Sequence, residues 1–180
     1  MIALLGNGVL AWALAACGLA QLSKLVIELV VHRRWRPAVL IETGGMPSSH
    51  AALITGAAAG IGWELGWDDP LFALAATLAF IVLYDASGVR RAAGQISARV
   101  NGLPDGLWEV RSVGGLQPLE TAEPSPLRSP VFKPLKENLG HTRLEVLAGS
   151  LLGPAIALTG LALAGSPLQI AQGLGWLPLA

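Results

Sequence analysis

The chain has 180 residues, of which 53% are hydrophobic and 13% charged, and its formal net charge is +0. That length suits one domain, and charge well below the ~25% of a soluble domain points away from a solvated globule. Overall charge balance says nothing about nucleic acid, but no basic-aromatic surface stands out and no nucleic-acid partner is expected; the lone Cys17 excludes internal disulfides and Cys-rich metal sites. Met1–Ser23 carries no charged side chain, nor does Val146–Ala180. A spanning helix needs about 20 mostly apolar residues, so each run can supply one. The expected fold is therefore all-α: a polytopic transmembrane helical bundle with about four spans and a short C-terminal apolar segment.

In chain order, the first span is predicted from Leu4 to Val31. It has no basic leader and is read as a retained anchor. Arg33, Arg34 and Arg36 follow it, and Pro37 closes the region. The second span runs from Ser48 to Trp63, rich in Ala and Gly, with Gly56 and Gly60 as a small-xxx-small pair suited to close packing. The third runs from Pro70 to Val89, and Arg90–Val100 continues it into water. Six prolines between positions 101 and 140 forbid a long helix there, so about 101–135 is expected to be a loop within a single domain of residues 1–180. The fourth span covers Thr142 to Ala164 with a second pair, Gly149 and Gly153. Residues 167–179 are apolar but short, and either lie on the membrane or form an incomplete fifth span.

Lys and Arg set the orientation. They fall after the first span, after the third, before the fourth, and at Lys24, whereas the connection between spans two and three holds only Glu64, Asp68 and Asp69. The positive-inside rule then puts residues 32–47 and 90–143 in the cytoplasm and both termini outside. The polar stretches Thr43–His50, Asp85–Arg91 and Lys136–Glu145, far apart in sequence, would meet at one membrane face.

Four groups could carry chemistry. Lys24 lies about 13 Å inward from Arg33 along a helix. Gln21, Lys24, Glu28 and His32 share one helical face, and so deep a charge either pairs with Glu28 or faces a polar cavity. In Glu42–His50, Gly44 and Gly45 allow a tight turn, and Ser48 or Ser49 can cap the helix that follows. Its N–H groups and dipole attract anions such as phosphate, with His50 in the first turn. In Tyr84–Arg91, Asp85 interrupts an apolar span, and Arg90 and Arg91 match phosphate geometry. In Leu135–Glu145, His141 and Glu145 fall on one side of a helix start. Two readings stand there: a carboxylate that orients an imidazole, or a Thr142-x-x-Glu145 capping box.

Taken together, Gly44-Gly-Met-Pro-Ser-Ser-His50, Asp85-x-x-Gly-Val-Arg-Arg91 and Leu139-Gly-His-Thr-x-Leu-Glu-Val146 resemble the divergent PAP2 family, membrane proteins related to acid phosphatases and vanadium-dependent haloperoxidases. The resemblance spans nearly the whole chain outside residues 102–132, with the blocks in the family's order. Other PAP2 phosphatases carry a Lys-Arg-Pro block, Pro-Ser-Gly-His, and Ser-Arg followed by His-x-x-x-Asp. Here Pro47-Ser-Ser-His50 stands for the second and His141-Thr-Arg-Leu-Glu145 for the end of the third. Pro134 and Leu135 occupy the Ser-Arg positions, and Lys24 and Arg36-Pro37 lie too far apart to form the first block.

The resemblance implies a phosphatase that needs no metal or cofactor and acts on a lipid or isoprenoid phosphate. His141 would be the nucleophile, Glu145 its support and His50 the acid and base. The family's own anion-binding residues are missing or replaced; from the residues present, Lys24, Arg90, Arg91 and Lys136 are the available substitutes and, with Ser48 and Ser49, are expected to bind phosphate, with Asp85 behind them. The expected location is a bacterial inner (plasma) membrane or a similar organelle membrane, with the site facing the cytoplasm and with room for a homo-oligomer. The competing expectation is a protein that binds or transports lipid phosphate without hydrolysis. Small size and membrane embedding argue against haloperoxidase activity.

Overall fold

A computed structural model describes residues 5–40, 44–103, 134–137 and 139–178. Its described residues are helical, with no strand: α1 (Gly8–Val30), a 3-10 turn (Pro37–Leu40), α2 (Ser49–Leu65), α3 (Pro70–Tyr84), a π-turn (Asp85–Val89), α4 (Arg90–Asn101), α5 (Arg143–Ala164) and α6 (Pro167–Gly173). The predicted elements all form, with small shifts at their ends. Nearly all of the predicted proline-rich loop, residues 104–133, lies outside the described residues, as does the Glu42–Thr43 part of the second polar group.

Caps set the boundaries. Asn7, Ser48, Asp69, Thr142 and Ser166 each accept a hydrogen bond from the first turn of the helix they precede. Pro70 and Pro167 occupy first-turn positions, where a missing N–H costs nothing.

Among the described residues, three helical stretches are long and apolar enough to cross a membrane: Gly8–Val30, Pro70–Asn101 and Arg143–Gly173. The fourth predicted span, α2, has 17 residues, at the short end of what a bilayer requires. It is the central helix and packs against α1, α3 and α5. The bundle inverts the pattern of a soluble core. The buried apolar residues are chiefly alanines, among them Ala13, Ala16, Ala20, Ala51, Ala52 and Ala157, while Leu14, Leu22, Val26, Leu74, Phe80, Leu151 and Leu163 face outward. Lipid tails are as apolar as leucine, so close backbone contact through small residues holds such helices together.

Both glycine pairs serve that packing. A methyl group at Gly56 would sit 3.1 Å from the Gly153 carbonyl oxygen, and one at Gly149 would meet Ser48 and Ala51. Gly60 instead lies against Val9 of α1. The α2–α5 crossing brings the start of α5 beside the start of α2, and both starts carry a histidine.

Candidate functional site

Three sequence blocks are tied together at one end of the bundle by main-chain bonds. Ser48 N donates to Glu145 O at 2.9 Å, and His141 N donates to Ala86 O at 3.1 Å. Gly140 lies so close to the backbone of Arg91 that any side chain there would collide with it. These contacts join the turn before α2, the π-turn after α3 and the approach to α5.

The π-turn matters because it follows a regular helix without a break. The single wide turn at Asp85–Val89 leaves the Ala86 carbonyl available to His141, and such turns recur at functional sites. No sequence signal announced it. The predicted third span simply ran on to Val89.

His50 and His141 face one another across this junction, with ring centroids 6.4 Å apart and planes at 70°. His50 is exposed, whereas His141 is 4% exposed and its Nε2 is buried without a hydrogen-bond partner. Burial is the main reason that the His141 pKa falls below that of a free imidazole. The charge of Lys24 lowers it further, Glu145 opposes the shift, and His50 and Arg90 add to it. The ring is therefore held neutral.

A pocket of about 170 Å³ is lined by His50, His141, Asp85 and Arg90 on its polar side and by Ile81, Val82, Ala86 and Leu139 on its apolar side. Arg90 Nε donates to Asp85 Oδ2 within this lining. Both side chains are more than a third exposed. Exposed pairs of this kind contribute about 0–1 kcal/mol, so a phosphate could take over the arginine at little cost.

Lys24 lies beneath the glycine turn. It is 4% exposed, and a methyl group at Gly45 would be 3.8 Å from its Cδ. The turn needs glycine, because Gly44 and Gly45 adopt φ of 114° and 78°. Glu28 does not neutralise Lys24. Its carboxylate contacts His32 Nδ1 at 2.9 Å and Arg36 Nη1 at 3.7 Å. Next to Lys24 on the same face, Gln21 donates to Leu40 O, and its Oε1 is buried without a partner.

Ser48 is completely buried and Ser49 nearly so. Ser48 Oγ accepts from Ala51 N at 3.3 Å as the cap of α2. Glu145 forms the capping box: its Oε2 accepts from Thr142 N at 2.9 Å, and Thr142 Oγ1 accepts from Glu145 N at 3.3 Å. Of the two readings of that segment, the capping bond is the one present, and Glu145 reaches His141 through its charge alone. Arg91 is exposed and touches the site through its backbone, and Lys136 is exposed and lines no part of the pocket. Among the described residues, no three His, Cys, Asp or Glu side chains gather as a metal cluster.

The chain matches the family model described as the divergent PAP2 family over residues 5–156. It is 38% identical over 155 residues to the uncharacterized membrane protein YuiD of Bacillus subtilis (strain 168), an alignment covering 86% of this chain and 94% of the relative. No solved structure matches it.

Proposed function

This chain belongs to the divergent PAP2 family, and we propose that it is a metal-independent phosphatase acting on a phosphate carried by a membrane lipid. One observation supports this above the others: a neutral, buried His141 with an unpartnered Nε2 faces His50 across a pocket that also holds Arg90. In this reading His141 Nε2 attacks phosphorus and the bond to the lipid alcohol oxygen breaks, leaving a phosphohistidine. His50 gives a proton to the departing alcohol, then removes one from the water that hydrolyses the intermediate. Arg90, Lys24 and the N–H groups at the start of α2 hold the phosphoryl oxygens, and the Glu145 charge steadies the imidazolium as it forms. Phosphoryl transfer depends mainly on position and charge, which is what this cluster offers.

Nε2 is covered, so a neighbour must swing aside to admit phosphorus. In this reading Arg90, which lines the same pocket and pairs with Asp85 at an exposed position, is the side chain that moves. The lipid source is supported by the apolar wall: Ile81 is exposed on a membrane-length helix and lines the same pocket as the histidines. The basic residues around this end favour a cytoplasmic orientation.

The replacement of Ser-Arg by Pro134 and Leu135 favours a second reading, in which the site binds lipid phosphate for transport or assembly without cleaving it. Phosphate release from several lipid phosphates, measured in detergent without added metal, separates the two. Hydrolysis by the wild type that is lost in His141→Ala and His50→Ala is the expected result. Release unchanged in both variants rules out this chemistry, and lipid binding without release transfers the site to the second reading.

A further inference from the structure

Asn101, the last residue of α4, is the side chain that holds the His141-bearing segment in place. Its Nδ2 donates to Leu135 O at 2.8 Å and to Glu137 Oε1 at 2.8 Å, and its Oδ1 accepts from Leu135 N at 2.9 Å. The amide thus pairs with a main-chain peptide as a neighbouring strand would. From there the segment runs back along α4. A methyl group at Gly94 would strike the Glu137 carbonyl, Gly140 sits on Arg91, and His141 N reaches Ala86 O. The other anchors are backbone contacts, made through glycines or a peptide N–H. Among the described residues, the Asn101 end is the one held by a side chain that substitution can remove.

We propose that Asn101 is a positioning residue for His141, acting from about 16 Å along α4. The inference rests on the phosphatase reading. Between Leu135 and His141 the described backbone makes one local bond, Leu139 N to Glu137 O at 3.0 Å. Fixing each residue of such a stretch costs backbone entropy. Three bonds to one amide offset part of that at the end where the chain arrives from residues 104–133. Without them the segment frays back toward Gly140, and His141 meets phosphorus less often. Arg90 and Lys24 stay in place on their own helices, so substrate binding is spared.

Three variants test this on the full chain in detergent: Asn101→Ala, Asn101→Asp and Asn101→Asp with Glu137→Gln. The single changes should lower kcat about tenfold with KM within about twofold. An aspartate in place of Asn101 repels Glu137. Adding Glu137→Gln restores a donor between the two side chains, so the double variant should regain about threefold of the loss in Asn101→Asp. Unchanged kcat, a loss confined to KM, or no recovery in the double variant overturns the proposal. If the wild type releases no phosphate, the phosphatase reading falls, and a nitroxide at Lys136→Cys, in a Cys17→Ala background, then decides on the clasp alone. Its spectrum should sharpen when Asn101→Ala is added, and an unaltered spectrum overturns the clasp too.

Discussion

The two ends of the bundle are built from the same parts and differ in what is left unsatisfied. At the end away from the histidines, Asn7, Asp69 and Ser166 cap their helices, and every cap bond is exposed. The recess there is the larger of the two, about 550 Å³, and the described residues that line it, among them Asn7, Glu64, Ser166 and Gln169, include no cation. At the histidine end the pocket is about 170 Å³, yet Lys24, Ser48, Ser49 and His141 are buried, and two polar atoms have no partner. A buried polar atom without a hydrogen bond costs about 1–3 kcal/mol, and a lysine near membrane depth costs about as much again. Capping explains one end fully. It leaves the other with a buried cation, Lys24, whose charge a bound anion would offset, and with a free Nε2 lone pair on His141.

The largest test of this contrast pairs one residue from each end. His141→Ala should lower kcat about a thousandfold or more, as removal of a nucleophile does. Glu64→Gln at the opposite end should leave it within about twofold. Phosphate release that tracks Glu64 instead would move the site to the wrong side of the membrane.

Lys24→Met sharpens the same point, because activity and stability should part. Methionine keeps most of the stem and removes a buried charge, so the thermal midpoint in detergent should rise. Phosphate binding should weaken about tenfold to a hundredfold, from loss of one charge-assisted contact. A midpoint that falls in this variant means that Lys24 already has a structural partner, and no buried charge would be left for an anion to offset.

A smaller test concerns how the histidine end is held. Gly153 lies against Ala52, Thr55 and Gly56, whereas Gly18 has open space around it. Gly153→Val should destabilise the bundle by about 1–3 kcal/mol through overpacking and reduce activity with it. Gly18→Ala should stabilise α1 by about 0.5–1 kcal/mol and leave activity alone. Equal effects at both positions would deny the α2–α5 crossing its role in bringing Ser48 to Glu145.

Much of this end was legible in the sequence, for identifiable reasons. Uncharged runs fix the helices, and caps and prolines fix their ends within a few residues. Motifs at helix ends on the basic side meet because the topology allows little else. Side-chain partners were legible only as alternatives. Spacing offered Glu145 both His141 and Thr142, and the Thr142 capping bond is the one formed; it put Lys24 and His32 on the face of Glu28, and Glu28 turns to His32 and Arg36. Helical periodicity gives neighbours and says nothing of which neighbour wins a hydrogen bond. The π-turn and the Asn101 contacts escaped for the same reason, since each depends on a segment that packs from elsewhere in the chain.

The smallest expected effect is a pH dependence that belongs to the histidine end alone. Burial, with Lys24 acting in the same direction, holds the folded His141 pKa below its ordinary value. The unfolded ring titrates near ~6.5. Between the folded pKa and that value the unfolded chain carries more of the proton, so stability rises with pH across the window and levels off above it. Acidifying from about pH 7 to about pH 5 should therefore destabilise the protein. His141→Asn cannot take up the proton and should be less sensitive over the same range. Activity should follow the same residue: attack requires a neutral ring, so the acid limb of kcat/KM should lie below the pH at which a free imidazole titrates. A limb at or above it, or a variant as acid-sensitive as the wild type, would mean that His141 is not sealed beside a cation.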